Sequence, residues 1–289
     1  MGLFDFVRSQ VDPDERRWRK EAQEEAREYR QEAKEFMQEA KSLYEDDYKE
    51  LKTDARRMAN NVGDLIKQHI TYKADLLKEL GGEINSSIEN FKRFNVDSHV
   101  IKSIDIGSGS FSVPSISTSA LSNFAPNIGG SFSLPSLVLS AFSDPYKDKD
   151  KAYEQRSKAQ EYLWQVEDAV NQIKQTIEIL KSTKQYVLDE RDALDELMGK
   201  IRKIVNQLGS ATQKTSYTEH EARYVKGICK VAEIIKNTLE EQIANNDGKI
   251  STNYKKYSER IRQINRAIPS APVLKESSND NWLSVIINY

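Results

Sequence analysis

The sequence predicts an all-α protein, an elongated antiparallel bundle of long coiled-coil helices with an uncharged Ser/Gly/Phe-rich insert that can form a short β-hairpin tongue. Three observations predict it. Apolar and small residues recur at three- and four-residue steps over most of the chain, with charged or amide side chains between them. At 38% hydrophobic and 30% charged, the 289 residues suit helices with one contact face better than a thick core. From Ile106 to Ser143 no residue is charged. The segments that follow are a short apolar N-terminus (1–11), a long helix and a shorter one (12–94), the insert (95–143), a second and third long helix (144–268), and a linker with an apolar C-terminal peptide (269–289).

The first helix starts at Asp12-Pro13-Asp14-Glu15, where an N-cap acid, a proline at the first helical position and two acids suit the helix dipole. One narrow seam follows through Ala22, Ala26, Tyr29, Ala33, Phe36, Ala40 and Leu43. It then moves over by one residue, to Tyr44, Tyr48, Leu51, Ala55, Met58, Val62, Leu65, His69, Tyr72 and Leu76. A slip of this kind compensates the drift of 3.6 residues per turn against a strict heptad. Running from Asp12 to Leu80, such a helix would be about 100 Å long. Gly81-Gly82 is expected to end or kink it, with a shorter helix from Glu83 to Phe94 beyond. If the Ala-rich start is not covered within the chain, it would pair with another copy.

Asp144-Pro145 opens the second long helix, whose seam residues Ala152, Ala159, Val166, Ile173, Leu180, Val187, Leu194, Ile201 and Leu208 are all seven apart. Leu163, Val170, Ile177, Met198 and Val205 are the companion positions, interrupted by Lys184 and Arg191, which either set the register as polar seam residues or mark where the partner helix ends. Gly209 closes the helix. A capping box, Ser216-Tyr217-Thr218-Glu219, opens the third stretch, which runs through Tyr224, Ile228, Ala232, Ile235, Leu239 and Ile243. Asn245-Asn246-Asp247-Gly248 interrupts or bends it, and the pattern resumes at Ile250, Tyr254, Tyr257, Ile261, Ile264 and Ile268 until Pro269.

The insert contains an internal repeat: Gly109-Ser110-Phe111-Ser112-Val113-Pro114-Ser115-Ile116 returns as Gly130-Ser131-Phe132-Ser133-Leu134-Pro135-Ser136-Leu137. Phe111 and Val113, like Phe132 and Leu134, alternate with serine at the period of a strand, and Leu121, Phe124, Val138 and Leu139 add apolar surface. Three readings are open: a low-complexity linker, a membrane-directed tongue, and a protein-docking or oligomerisation surface. A charge-free segment loses little on entering a bilayer, where a Lys or Asp would cost about 2.5 to 3.5 kcal/mol at the centre. Its apolar runs are too short to span a bilayer as a single helix, so insertion would need several copies or a conformational change.

Long amphipathic helices flanking an uncharged apolar tongue resemble the α-helical pore-forming toxins of the cytolysin A and haemolysin BL type, which implies a tongue that enters the bilayer and protomers that assemble. The short apolar start, Met1 to Phe6, before the charged helix after Asp12 is also similar to phage-shock and ESCRT-III-like membrane-remodelling proteins. Both resemblances imply action at a membrane.

Little in the sequence points to chemistry. His69, His99 and His220 lack metal-ligand spacing, and Cys229 stands alone, so no metal and no cofactor is expected. Gly248-Lys249-Ile250-Ser251 lacks the upstream glycine of a phosphate loop and has Ile250 where the magnesium-binding hydroxyl would stand. The expectation is a non-enzymatic protein with no catalytic residue and no small-molecule substrate. Lys+Arg of 43 against Asp+Glu of 45 gives no global basic field for nucleic acid.

The first residues carry Asp5 inside a very short apolar run, unlike a signal peptide or a spanning helix, and Phe6 occupies the Ser/Thr place of a myristoylation site. The expected location is cytoplasmic, peripheral at a membrane, with export by a route using no signal peptide left open. At the other end, Trp282, Leu283, Val285, Ile286, Ile287 and Tyr289 follow a polar linker, and either fold back on the bundle or form a docking peptide. The function expected is that of a self-assembling helical protein, forming homo-oligomers, which acts at a membrane through residues 106–143 as a pore-former or membrane remodeller. The alternative is a soluble coiled-coil adaptor or scaffold that docks a protein partner through the insert and the C-terminal peptide.

Overall fold

The computed structural model describes residues 13–93, 145–209, 219–245, 248–270 and 272. They form α1 (Pro13–Ser42), a π-helical turn (Leu43–Tyr48), α2 (Lys49–Arg93), α3 (Pro145–Gly209), α4 (Glu219–Glu240) and α5 (Thr252–Ala267). The described residues are all-α, as the periodicity predicts, with a lone antiparallel bridge between Ala244 and Ile250. They belong to two compact units: the first takes its described residues from 1–57 and 127–177, the second from 58–126 and 178–289.

In the first unit α1 pairs with the start of α3. Ala22, Ala26, Ala33 and Ala40 are buried, as are Ala152 and Ala159 opposite, so small side chains let the two helices approach closely. Phe36, Met37, Leu43 and Tyr44 close over Tyr162, Leu163 and Val166. The Ala-rich start is therefore covered by the chain's own α3, and the expected reason for pairing it with another copy falls away. Ion pairs flank the seam: Glu25 with Lys149, Arg30 with Asp148, Glu32 with Arg156.

The one-residue shift of the seam is made by the π turn. The N–H of Lys49 bonds the carbonyl of Tyr44, five residues back, so one extra residue is taken up locally and the helix beyond keeps its face. Buried positions accordingly run Ala26, Ala33, Ala40, then Tyr48, Ala55, Val62 and His69, with a step of eight where every other is seven. A discrete π turn, rather than gradual drift, carries the slip.

The second unit joins α2, the rest of α3, α4 and α5. Gly81 and Gly82 do not break α2, which continues to Arg93 with neither glycine at positive φ. Burial of Leu77, Leu80 and Ile84 around them outweighs the roughly 1 kcal/mol that each glycine costs a helix. After α4 the chain turns back sharply: Gly248 supplies a φ of 83°, Asn245 N–H donates to the Lys249 carbonyl at 2.8 Å, and Ser251 N–H to the Ile243 carbonyl at 2.9 Å. The turn predicted at Asn245–Gly248 thus reverses the chain, and Ser251 caps α5 by accepting from Tyr254 N–H at 3.2 Å.

Helix direction differs from the antiparallel expectation for the long helices. In the first unit the partners advance together, Glu25 with Lys149 and Glu32 with Arg156. The second unit repeats this, with His69 beside Glu190 and Glu79 beside Arg202. Within each unit, then, the first long helix is parallel to α3, and α3 is parallel to α5, as Thr183 to Gly248 and Lys200 to Asn265 show. Among the described helices only α4, reversed against α5, is antiparallel to its neighbours.

The nine seven-spaced residues of α3 from Ala152 to Leu208 are all buried. Beside their companions Leu163, Val170 and Ile177, a second buried line opens at Thr183, Glu190, Leu197 and Ile204, one residue earlier in the heptad, while Met198 of the expected line is buried as well. Lys184 is exposed and Arg191 half-buried, its guanidinium 4.9 Å from the Tyr72 ring centroid, so neither is a seam residue. Val205 is likewise only half-buried beside the buried Ile204. The seam of α3 turns here to meet α5 as well as α2.

Candidate functional site

The residues expected to make contacts, Phe111, Val113, Ile116, Leu121, Phe124, Phe132, Leu134, Leu137, Val138 and Leu139, lie outside the described residues, as do Trp282, Leu283, Val285, Ile286, Ile287 and Tyr289. The capping serine Ser216 and the N-terminal cluster lie outside them too.

What the structure does assemble is a polar layer in the core of the second unit. His69 and Lys73 are one helical turn apart on α2, and the seam that buries Ile66 and Leu80 buries Lys73 midway between them. Glu190 comes from α3, in line with Thr183 and Leu197, and Tyr254 from the first turns of α5. All four are fully buried.

Their bonds form a chain. Lys73 Nζ donates to Tyr254 Oη at 2.8 Å, and Tyr254 Oη donates to Glu190 Oε1 at 2.7 Å. Lys73 Nζ also lies 3.6 Å from Glu190 Oε1 and 3.4 Å from the Thr238 carbonyl on α4. His69 Nε2 stands 3.2 Å from the same carboxylate oxygen; since a carboxylate only accepts, Nε2 carries the imidazole proton. Helices α2, α3, α4 and α5 all reach this layer. Two buried polar atoms, His69 Nδ1 and Glu190 Oε2, have no partner.

Burial and charge shift these groups. Burial pulls the Lys73 ammonium down to about 8 in spite of the Glu190 charge. For Glu190, burial works upward but is outweighed by the Lys73 ammonium and by the hydrogen bond and charge of His69, leaving it at about 2. Burial lowers His69 against the opposing hydrogen bond to Glu190, with Lys73 and Arg191 adding to the lowering. Tyr254 is raised well above the ordinary phenol range by burial and by Glu190. At neutral pH the layer therefore holds one ammonium, one carboxylate, a neutral imidazole and a neutral phenol.

The cluster is fully buried, on helices whose buried faces also carry Ile66, Ile70, Leu77, Leu194, Leu197 and Ile261. A buried ion pair of this kind carries a cost in desolvation. Sequence reasoning placed His69 on the seam but missed Lys73 and Glu190. The signal was there: Lys73 is seven residues from both Ile66 and Leu80, and Glu190 is seven from Leu197.

Elsewhere, α4 and α5 enclose an open groove of about 420 Å³ whose lining mixes Lys230, Glu233, Lys256, Glu259 and Arg260 with Ile234 and Tyr257. Burial pushes the Cys229 thiol up to about 12, which leaves almost no thiolate at neutral pH. Among the described residues no group of three His, Cys, Asp or Glu side chains is placed to hold a metal ion, and no helix is long and apolar enough to cross a membrane. No protein-family model, curated protein or solved structure matches the chain.

Proposed function

We propose that the chain is a non-enzymatic, self-assembling helical protein that acts at a membrane through residues 106–143. The observation that carries this reading is the absence of charge from Ile106 to Ser143, with its repeated Phe-Ser-Val/Leu-Pro, in a chain that is 30% charged. An uncharged, hydroxylated segment crosses into a lipid interface at little cost, where the flanking helices, rich in Lys, Arg, Asp and Glu, would not. A segment without a spanning apolar run would enter a bilayer in several copies or after a conformational change, and self-assembly supplies the first of these.

A second reading, an adaptor docking a protein, is favoured by a row of aromatics on α3. Tyr146, Tyr153 and Trp164 are exposed, and their separations of 7 and 11 residues bring them close to whole helical turns, on one side of the helix.

Flotation with phosphatidylcholine vesicles separates the two. The full-length protein is expected to float, independent of salt, and to stay at the bottom when Phe111, Val113, Phe132 and Leu134 are all changed to Ser. Dye release from the same vesicles divides pore formation from peripheral remodelling. A wild-type protein that does not float rejects the membrane reading in favour of the adaptor.

A further inference from the structure

A hydrophobic layer would join four helices with less desolvation than His69, Lys73, Glu190 and Tyr254 require. What the polar layer adds is a response to protons. The hydrogen bonds that tie the α4–α5 hairpin into this layer end on Lys73 or Glu190: Tyr254 Oη donates to Glu190 and accepts from Lys73, and the Thr238 carbonyl accepts from Lys73. We propose that the layer is an acid-operated latch, which holds the α4–α5 hairpin onto α2 and α3 and releases it when the layer gains a proton.

A proton on Glu190 removes the counter-charge of the buried Lys73 ammonium, and a proton on His69 adds a second cation beside it. Either leaves excess positive charge in a dry core. The hairpin gives way first because α4 and α5 span 22 and 16 residues and rely on packing, whereas the 65-residue α3 keeps its seam with α2. The groups facing the layer are Tyr72 from α2, stacked on His69 at 6.3 Å; Tyr186 and Arg191 from α3; and Ser258 and Arg262 from α5, the last 4.5 Å from the Tyr186 ring. None of them supplies a second carboxylate.

The direction follows from the shifts. His69 lies below its ordinary 6.5 in the folded protein, so its contribution is present above pH 6.5 and is lost as pH falls through the folded value. Glu190 lies at about 2 against 4.5, so its contribution is present above pH 4.5 and is lost towards pH 2. Lys73, at about 8 against 10.5, has a contribution complete only above pH 10.5 and already lost below pH 8, so it does not change between neutral and acid. Tyr254, raised from 10.0, contributes below that pH and loses its contribution above it. From neutral to acid the two groups that change act together, and both favour opening.

Hydrogen exchange followed by mass spectrometry on the full-length protein, without vesicles, tests the latch independently of the proposed membrane role. With intrinsic rates corrected for pH, the opening constant of α4 and α5 is expected to rise by up to about tenfold per pH unit below pH 6.5, while the α2–α3 seam keeps its protection. Protection of the hairpin that is unchanged by acid overturns the proposal, as does simultaneous loss from all helices. A His69→Leu/Lys73→Met/Glu190→Gln variant, if folded, is expected to lose most of the acid response, because both groups that change between neutral and acid are gone; retention of the full response also overturns it. If that variant does not fold, the wild-type profile alone decides.

Discussion

Replacing Glu190 with alanine is expected to lower stability by about 3–5 kcal/mol, because it leaves the Lys73 ammonium buried without its carboxylate. Glu190 Oε1 is also the acceptor for Tyr254 Oη at 2.7 Å and for His69 Nε2 at 3.2 Å, so one truncation orphans three partners. Changing Lys73 and Glu190 together to Met and Leu removes the charge and the counter-charge at once and is expected to cost less than Glu190→Ala alone, the remaining loss coming from Tyr254 Oη and His69 Nε2, which still lack their acceptor. Urea titrations of the two single variants and the double variant, followed by circular dichroism, give the coupling between the residues. A near-neutral Glu190→Ala would mean that water reaches the layer, and would remove the basis of the latch.

Deleting one residue gives the second large effect, and its size depends on where the deletion falls. Asp46 is exposed within the π turn, and its loss is expected to convert the turn to regular helix, giving a seam with a constant step of seven and little change in melting temperature. Loss of the equally exposed Asn61 has no π turn to absorb it. Every residue of α2 on one side of the deletion then rotates by about 100°, which carries Val62, Ile66, His69, Ile70 and Lys73 out of phase with Ala55 and Tyr48. That variant is expected to lose the cooperative thermal transition of the second unit. Equal melting curves for the two deletions would show that the π turn does not carry the register.

The same residues show how much was legible in the sequence. The nine seven-spaced positions from Ala152 to Leu208 announced α3 and its buried face, because spacing along one helix depends only on that helix. Direction was not legible. A heptad shows which side is buried, but the same stripe packs against a parallel or an antiparallel neighbour; pairs such as Glu32–Arg156 and Glu79–Arg202, which mark the parallel choice, lie more than a hundred residues apart. Gly81-Gly82 misled because local propensity was outweighed by the burial of Leu80 and Ile84.

The polar layer was half visible. His69 was found on the seam; the heptad spacing of Lys73 and Glu190 puts them on buried lines too, but their charge suits a solvated position equally well until α5 brings Tyr254 over them. Placing the polar interruption at Lys184 and Arg191 missed by one residue, because a second buried line of α3 opens at Thr183 to meet a third helix. A single helix cannot show that a second partner takes over.

The claim that residues 106–143 contact lipid is tested most directly by a fluorophore placed in the segment. With Cys229→Ser as background, an environment-sensitive dye on Phe132→Cys is compared with the same dye on Glu178→Cys, an exposed position of α3. On addition of phosphatidylcholine vesicles, the dye at position 132 is expected to shift to the blue and to be quenched by spin labels on the lipid tails, while the dye at position 178 stays unchanged. A dye at position 132 that behaves like the one at position 178 under saturating vesicles contradicts the account.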